Sequence, residues 1–231
     1  MSDNRADACL LASAVANQPR LGLLVARLGL LTGPRSDRKR AARLLVYWLG
    51  SVLFTLFSVL GAYAAIWLPF SPVPITLQLL PVLTAGLVLG PRWGAWSQVQ
   101  YLLLGLVGWP VFAAAAPGPA AFASPSAGYL LGFVLGAYTT GRAGRWLARW
   151  QWFGALASSY LGIIAVYCCG AAWLGIWLAA FASVPLRAAL AEAWLAGVAP
   201  FIVVDVAKAV LAASAWRGSC RCWSLLWPSS S

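Results

Sequence analysis

The sequence predicts an all-α integral membrane protein with six transmembrane helices and both termini in the cytoplasm. Three observations carry that prediction. Hydrophobic residues make up 62% of the 231-residue chain and charged residues only 9%, against about 25% charged in a soluble domain. After residue 43 the chain divides into six apolar segments separated by Pro/Gly-rich or basic stretches. The basic residues collect in every second one of those stretches, as topology signals do. The 14 Trp and 7 Tyr are ample for aromatic belts at two membrane interfaces. The net charge of +11 does not point to nucleic acid, because the Lys and Arg residues lie between apolar segments and form no single face.

Residues 1–43 form an extension that is cytoplasmic or interfacial. Within it, Leu21–Leu31 (LGLLVARLGLL) is too short for a bilayer that needs about 20 apolar residues. Arg20 flanks it and Arg27 interrupts it, so an interfacial amphipathic helix is expected. Pro34–Arg43 (PRSDRKRAAR) then places five basic residues just ahead of the first long apolar run.

The membrane domain is expected over residues 44–216, with a cytoplasmic tail at 217–231. Its first span is Leu44–Trp67, ended by the Pro-broken LPFSPVPIT. The second, Thr76–Leu89, stops at Gly90-Pro91-Arg92, and the third, Trp93–Gly108, is closed by Trp109-Pro110. A long uncharged loop leads to the fourth, Ser126–Thr140, whose Gly128, Gly132 and Gly136 make a ridge suited to close helix packing. GRAGRWLARW separates it from the fifth, Gln151–Ala180; the sixth is Ala188–Trp216. Spans two to four are short as drawn, so their ends are expected to extend into the flanking Pro/Gly stretches.

Lys and Arg counts orient the bundle. The Pro34–Arg43 run, Arg92, the Arg142–Arg149 loop and the tail after Trp216 hold five, one, three and two basic residues. The opposite set, residues 68–75, 109–125 and 181–187, holds only Arg187. The richer side is cytoplasmic. The two outer loops at 68–75 and 109–125 are Pro-rich and uncharged, and irregular backbone at membrane depth belongs in protein or along a cavity. They are read as lids over a solute site.

Asp205 and Lys208 are the only opposite-charge pair within a long apolar segment, APFIVVDVAKAVLAA. A spacing of three puts them on one helix face. Each ionisable group at mid-membrane costs roughly 2.5–3.5 kcal/mol, so two alanines would be cheaper than the pair. Either they fix how the last helix packs or they contact a solute. Gly197 and Pro200 are expected to kink or restart that helix, which keeps Asp205 within reach of an outward cavity. Arg92 belongs to the basic side and is read as a topology anchor or a partner contact.

Other chemistry is scarce. The chain has no His, which removes Ser/His and Cys/His nucleophiles and His-ligated metal. Its five Cys include adjacent Cys168 and Cys169, read as small packing residues, and Cys220-Arg-Cys222, whose spacing is wrong for a CxxC motif. No Walker A sequence is present. No enzyme activity, catalytic residue, metal or cofactor is expected.

A series of motifs carries a family resemblance. Pro74–Gln78 (PITLQ), Gly86–Gly94 (GLVLGPRWG), Tyr101–Ala113 (YLLLGLVGWPVFA), Ser124–Gly132 (SPSAGYLLG) and the DxxK of Asp205 and Lys208 follow in order. This series resembles the BioY proteins, the biotin-binding S components of energy-coupling factor (ECF) transporters, over residues 44–216. The resemblance implies a six-helix protein of the plasma or inner membrane, crossing it several times. It implies a biotin pocket open to the outside, and as partners a transmembrane coupling protein and two ABC-type ATPases. The chain departs from the family pattern in its longer N-terminal extension. It also departs in the loop AAAAPGPAAFA, which lacks the polar and Gly-Gly residues common there.

Biotin offers two ureido N–H donors, a ureido carbonyl, an apolar thiophane ring and an acidic chain. Asp205 can accept from a ureido N–H, and Lys208 can donate to the carbonyl or the carboxylate. Phe112, Tyr101 and Tyr129 suit the apolar rings, and Gln78 adds an amide near the outer entrance. Two alternatives stay open: a structural or assembly subunit that binds no ligand, and an S component for a different small vitamin.

Overall fold

The computed structural model describes residues 35–113, 118–181 and 184–226. The expected amphipathic segment at Leu21–Leu31 lies outside them, as do Cys9 and the side chains of Cys220 and Cys222. By its packing the chain divides into Met1–Leu49 and Gly50–Ser231. Of the first unit, the described part is the start of helix α1 (Arg35–Tyr63). The second unit contains the rest of α1 and everything below.

The described residues are helical throughout except for loops, 3-10 turns and one two-residue ladder. After α1 come β1 (Ala65–Ile66) and β2 (Ile75–Thr76), paired antiparallel with Ala65 opposite Thr76 and Ile66 opposite Ile75. Then follow α2 (Leu79–Leu106), α3 (Ala127–Trp146), α4 (Gln151–Phe181), α5 (Leu186–Gly197) and α6 (Ile202–Leu226). Arg40–Tyr63, Ala148–Phe181 and Leu186–Arg217 are long and apolar enough to cross a membrane.

Helix α2 is two limbs folded back on each other. Gly90 has φ 80° and ψ 180°, a region essentially closed to residues with a side chain. A methyl group added at Gly94 would lie 2.9 Å from the Cα of Gly86, whereas eight residues of straight helix span about 12 Å. The same folding brings Gln78 Nε2 to 2.6 Å from Tyr101 Oη across 23 residues. The segments 79–89 and 91–106 therefore run antiparallel.

Small residues set the spacing of the other helices. A Cβ on Gly86 would collide with the carbonyl of Ala137, and one on Gly141 with the backbone of Gly90 and Pro91. The Gly128–Gly132–Gly136 ridge packs as expected: added methyls would meet Trp173 at the first, and Val166 at the other two, all on α4. Between α1 and the second limb of α2 runs a buried polar seam. Thr55 Oγ1 donates to the Ser97 carbonyl at 2.8 Å, and Ser58 Oγ donates to Gln98 Oε1 at 3.1 Å. Such bonds hold membrane helices together where lipid offers no hydrophobic drive.

Several boundaries differ from the sequence reading. The first span leaves the helix at Tyr63, not Trp67, because the chain turns into β1. The second begins at Leu79, not Thr76, since Thr76 is held in β2. The fourth runs on to Trp146. The sixth is interrupted where a kink or restart is expected: α5 ends at Gly197, Ala199–Phe201 is a 3-10 turn, and α6 restarts at Ile202. Pro200 supplies the physical cause. Cys168 is exposed on α4 rather than packed inside, while Cys169 is partly buried.

Candidate functional site

The break in the last span shapes the site. Asp205 falls in the first turn of α6, where the positive end of the helix dipole and the unsatisfied backbone N–H groups favour a carboxylate. Lys208 lies one turn on, and its Nζ meets Asp205 Oδ1 at 2.6 Å. Both residues are buried. The break also leaves the last carbonyls of α5 without helical partners. Tyr129 Oη donates to the Gly197 carbonyl at 2.7 Å, and Ser71 Oγ donates to that of Ala196 at 2.7 Å.

Beside the pair lies a cavity of about 310 Å³, within the usual size range of a small-molecule site. Its wall is mostly apolar and draws on both uncharged loops. Trp67, Pro72, Val73 and Pro74 come from the stretch joining β1 to β2, and Phe112, Ala121, Ser124 and Pro125 from the stretch joining α2 to α3. The expectation that these loops border a cavity holds. The second is tied to α4 by the indoles of Trp173 and Trp177, which donate to the carbonyls of Ser124 and Ala123 at 2.9 Å each.

Of the six residues singled out from the sequence, five line this cavity together: Asp205, Lys208, Tyr129, Gln78 and Phe112. The sixth, Tyr101, lies fully buried behind the wall. Its Oη accepts from Gln78 Nε2 and donates to the Val111 carbonyl at 3.1 Å, so it fixes the amide and the start of the loop at once. Phe112 packs edge-on between Tyr101 and Phe122, with ring centroids 5.4 and 5.6 Å away. Gly105 makes room for it, since a methyl there would overlap its ring. Tyr129 is seated in the same way over Gly170 and Gly197.

Two participants carried no sequence signal. Tyr167 on α4 donates its hydroxyl to Asp205 Oδ2 and lines the cavity. Thr76 contributes only its backbone carbonyl, which accepts from Lys208 Nζ at 2.6 Å. A tyrosine in an apolar run looks like any other aromatic, and a main-chain acceptor has no side-chain signature. Both carboxylate oxygens of Asp205 thus have a donor, and Lys208 uses two of its three donors inside the protein. Among the described residues no His/Cys/Asp/Glu group is placed to hold a metal ion.

A family model described as the BioY family matches residues 38–224. The chain is 35% identical over 161 residues to the biotin transporter BioY of Thermotoga maritima, covering 70% of this chain and 88% of that protein. It is 39% identical over 173 residues to the biotin transporter BioY of Rhizobium etli, covering 70% and 88%. Among solved structures it is similar to the S-component for biotin from an ECF-type ABC transporter. That match has a TM-score of 0.67 and 29% identity, covering 78% of this chain and 93% of the other.

Proposed function

The chain belongs to the BioY family, and on that premise we propose that it is the membrane subunit that captures biotin from outside for uptake by an ATP-driven ECF-type transporter. It spans the membrane six times with both termini cytoplasmic, the two limbs of α2 being separate spans and α5 with α6 a single interrupted one. Its partners are a transmembrane coupling protein and two ABC-type ATPases, which supply the energy that this chain has no motif to harvest.

One observation carries the reading: the buried Asp205–Lys208 pair opens onto a cavity whose wall is mostly apolar. Its unused hydrogen-bonding capacity is informative. A carboxylate offers about four lone-pair positions and an ammonium three donors. Tyr167 and Lys208 occupy two of the former, and Thr76 and Asp205 two of the latter. About two acceptor positions and one donor remain, which mirrors the two N–H donors and one carbonyl of a ureido ring. In a water-excluded site each such charged bond is worth roughly 1.5–3 kcal/mol. The aromatic walls at Phe112, Tyr129 and Trp67 suit the thiophane ring and the chain.

The reading in which the pair is only structural has support in the internal partners just named. Equilibrium binding of labelled biotin to the purified chain tests the proposed function, and neutralising both charges of the pair tests whether the pair makes the contact. Saturable one-to-one binding, displaced by unlabelled biotin, is expected; no saturable binding by folded protein contradicts the proposal.

A further inference from the structure

The end of the bundle away from the cavity carries a second cluster of charge. Gln78, on the cavity wall, is followed by eleven residues of helix to the turn at Gly90, a rise of about 16 Å. The end of α3 rests on that turn. A methyl at Gly141 would lie 2.5 Å from the Pro91 nitrogen, and one at Gly90 would lie 2.6 Å from a guanidinium nitrogen of Arg145. Arg145 is therefore laid against bare backbone, in a place kept open by a glycine. Arg92 is two residues along the turn, and Arg142 shares a face of α3 with Arg145 at a spacing of three.

All three arginines are exposed. Arg142 lies over the Trp146 ring at 4.4 Å, and Trp146 is itself largely exposed, as a belt residue at a membrane interface is. None of the three meets a carboxylate among the described side chains. Of the acids whose side chains are described, Glu192 is on α5 and Asp205 is paired with Lys208. The turn and the helix end that rests on it thus bring three like charges to one end of the bundle, where an anion relieves their mutual repulsion. Guanidinium groups grip phosphate oxygens in pairs, and basic pockets between membrane helices suit lipid headgroups.

We propose that the Gly90–Arg92 turn and the end of α3 bind the phosphate of an anionic phospholipid headgroup, with Arg145, Arg142 and Arg92 as donors. The neighbouring Trp146 places the site at headgroup depth, where such a lipid is present at high local concentration. This inference does not depend on what the cavity holds.

The test uses the full chain in nanodiscs of pure phosphatidylcholine, or of phosphatidylcholine with one-third phosphatidylglycerol, and reads the melting temperature. Phosphatidylglycerol is expected to raise it by roughly 2–4 °C, and Arg142→Gln with Arg145→Gln should abolish that increment. Folding of the double variant is checked by its gel-filtration profile, which is independent of biotin. Arg187→Gln, at the start of α5, should keep the full increment. Equal melting in both lipids, an increment retained by the double variant, or one lost equally in Arg187→Gln would overturn the proposal. So would an equal increment from millimolar inorganic phosphate in phosphatidylcholine alone.

Discussion

Tyr167 is the residue on which the ion pair leans. Its hydroxyl holds Asp205 Oδ2 while Lys208 holds Oδ1, so the carboxylate is fixed in orientation from two elements. Tyr167→Phe keeps the ring and removes only that donor. It is expected to weaken biotin binding about tenfold, near 1.4 kcal/mol, as read by titration calorimetry on monodisperse protein; unchanged affinity would mean that Tyr167 does not orient the site. At this scale the sequence was legible where chemistry was out of place. Asp205 and Lys208 stood out because ionisable groups are costly in an apolar helix. Gln78 and Tyr101 were found together, yet their division into a cavity wall and a support behind it depends on a fold-back that no single residue announces.

At the scale of elements, two breaks position everything else. The first is the turn at Gly90, where the backbone geometry excludes a side chain. Gly90→Ala should cost on the order of 2 kcal/mol, lowering the melting temperature by about 4–8 °C. Thermal denaturation with and without biotin checks this, and an undisturbed melting curve would contradict the strained turn. The second break, between Gly197 and Ile202, gives Asp205 a helix N-terminus and gives Tyr129 a carbonyl to cap. Both breaks were legible, since Gly-Pro and Pro200 punctuate apolar runs. The β1–β2 ladder was not. Two residues per strand are too few for an alternating pattern, and the ladder is set by tertiary ties such as Lys208 to Thr76 and Ser71 to Ala196.

For the whole molecule, the proposed topology puts the loops around the cavity outside and the Arg92–Arg149 end inside. Single cysteines at Ala123 and Ala148, both exposed, in a background without native Cys, should be labelled from opposite sides. An impermeant reagent should reach the first in intact cells and the second only after lysis; the same accessibility at both would contradict six spans. The apolar segments and the alternation of charge are what support this proposed arrangement. Residues 1–33 are a separate matter, because the family match begins at residue 38. Deleting them while keeping the Pro34–Arg43 charges should leave biotin affinity within about threefold, or roughly 0.7 kcal/mol. A larger loss by correctly inserted protein would make the extension part of the binding fold.

The central claim is that Asp205 and Lys208 recognise biotin rather than merely brace α6. Removing one member of a buried pair strands the other and costs about 3–5 kcal/mol, so single substitutions confuse folding with binding. Asp205→Asn combined with Lys208→Gln removes both charges while keeping shape and some hydrogen bonding. The decisive measurement is the biotin dissociation constant of this double variant, taken on protein whose melting and gel-filtration profiles match the parent. A loss of at least about a hundredfold, roughly 2.7 kcal/mol, is predicted. Affinity equal to the parent's would show that the pair only braces the helix.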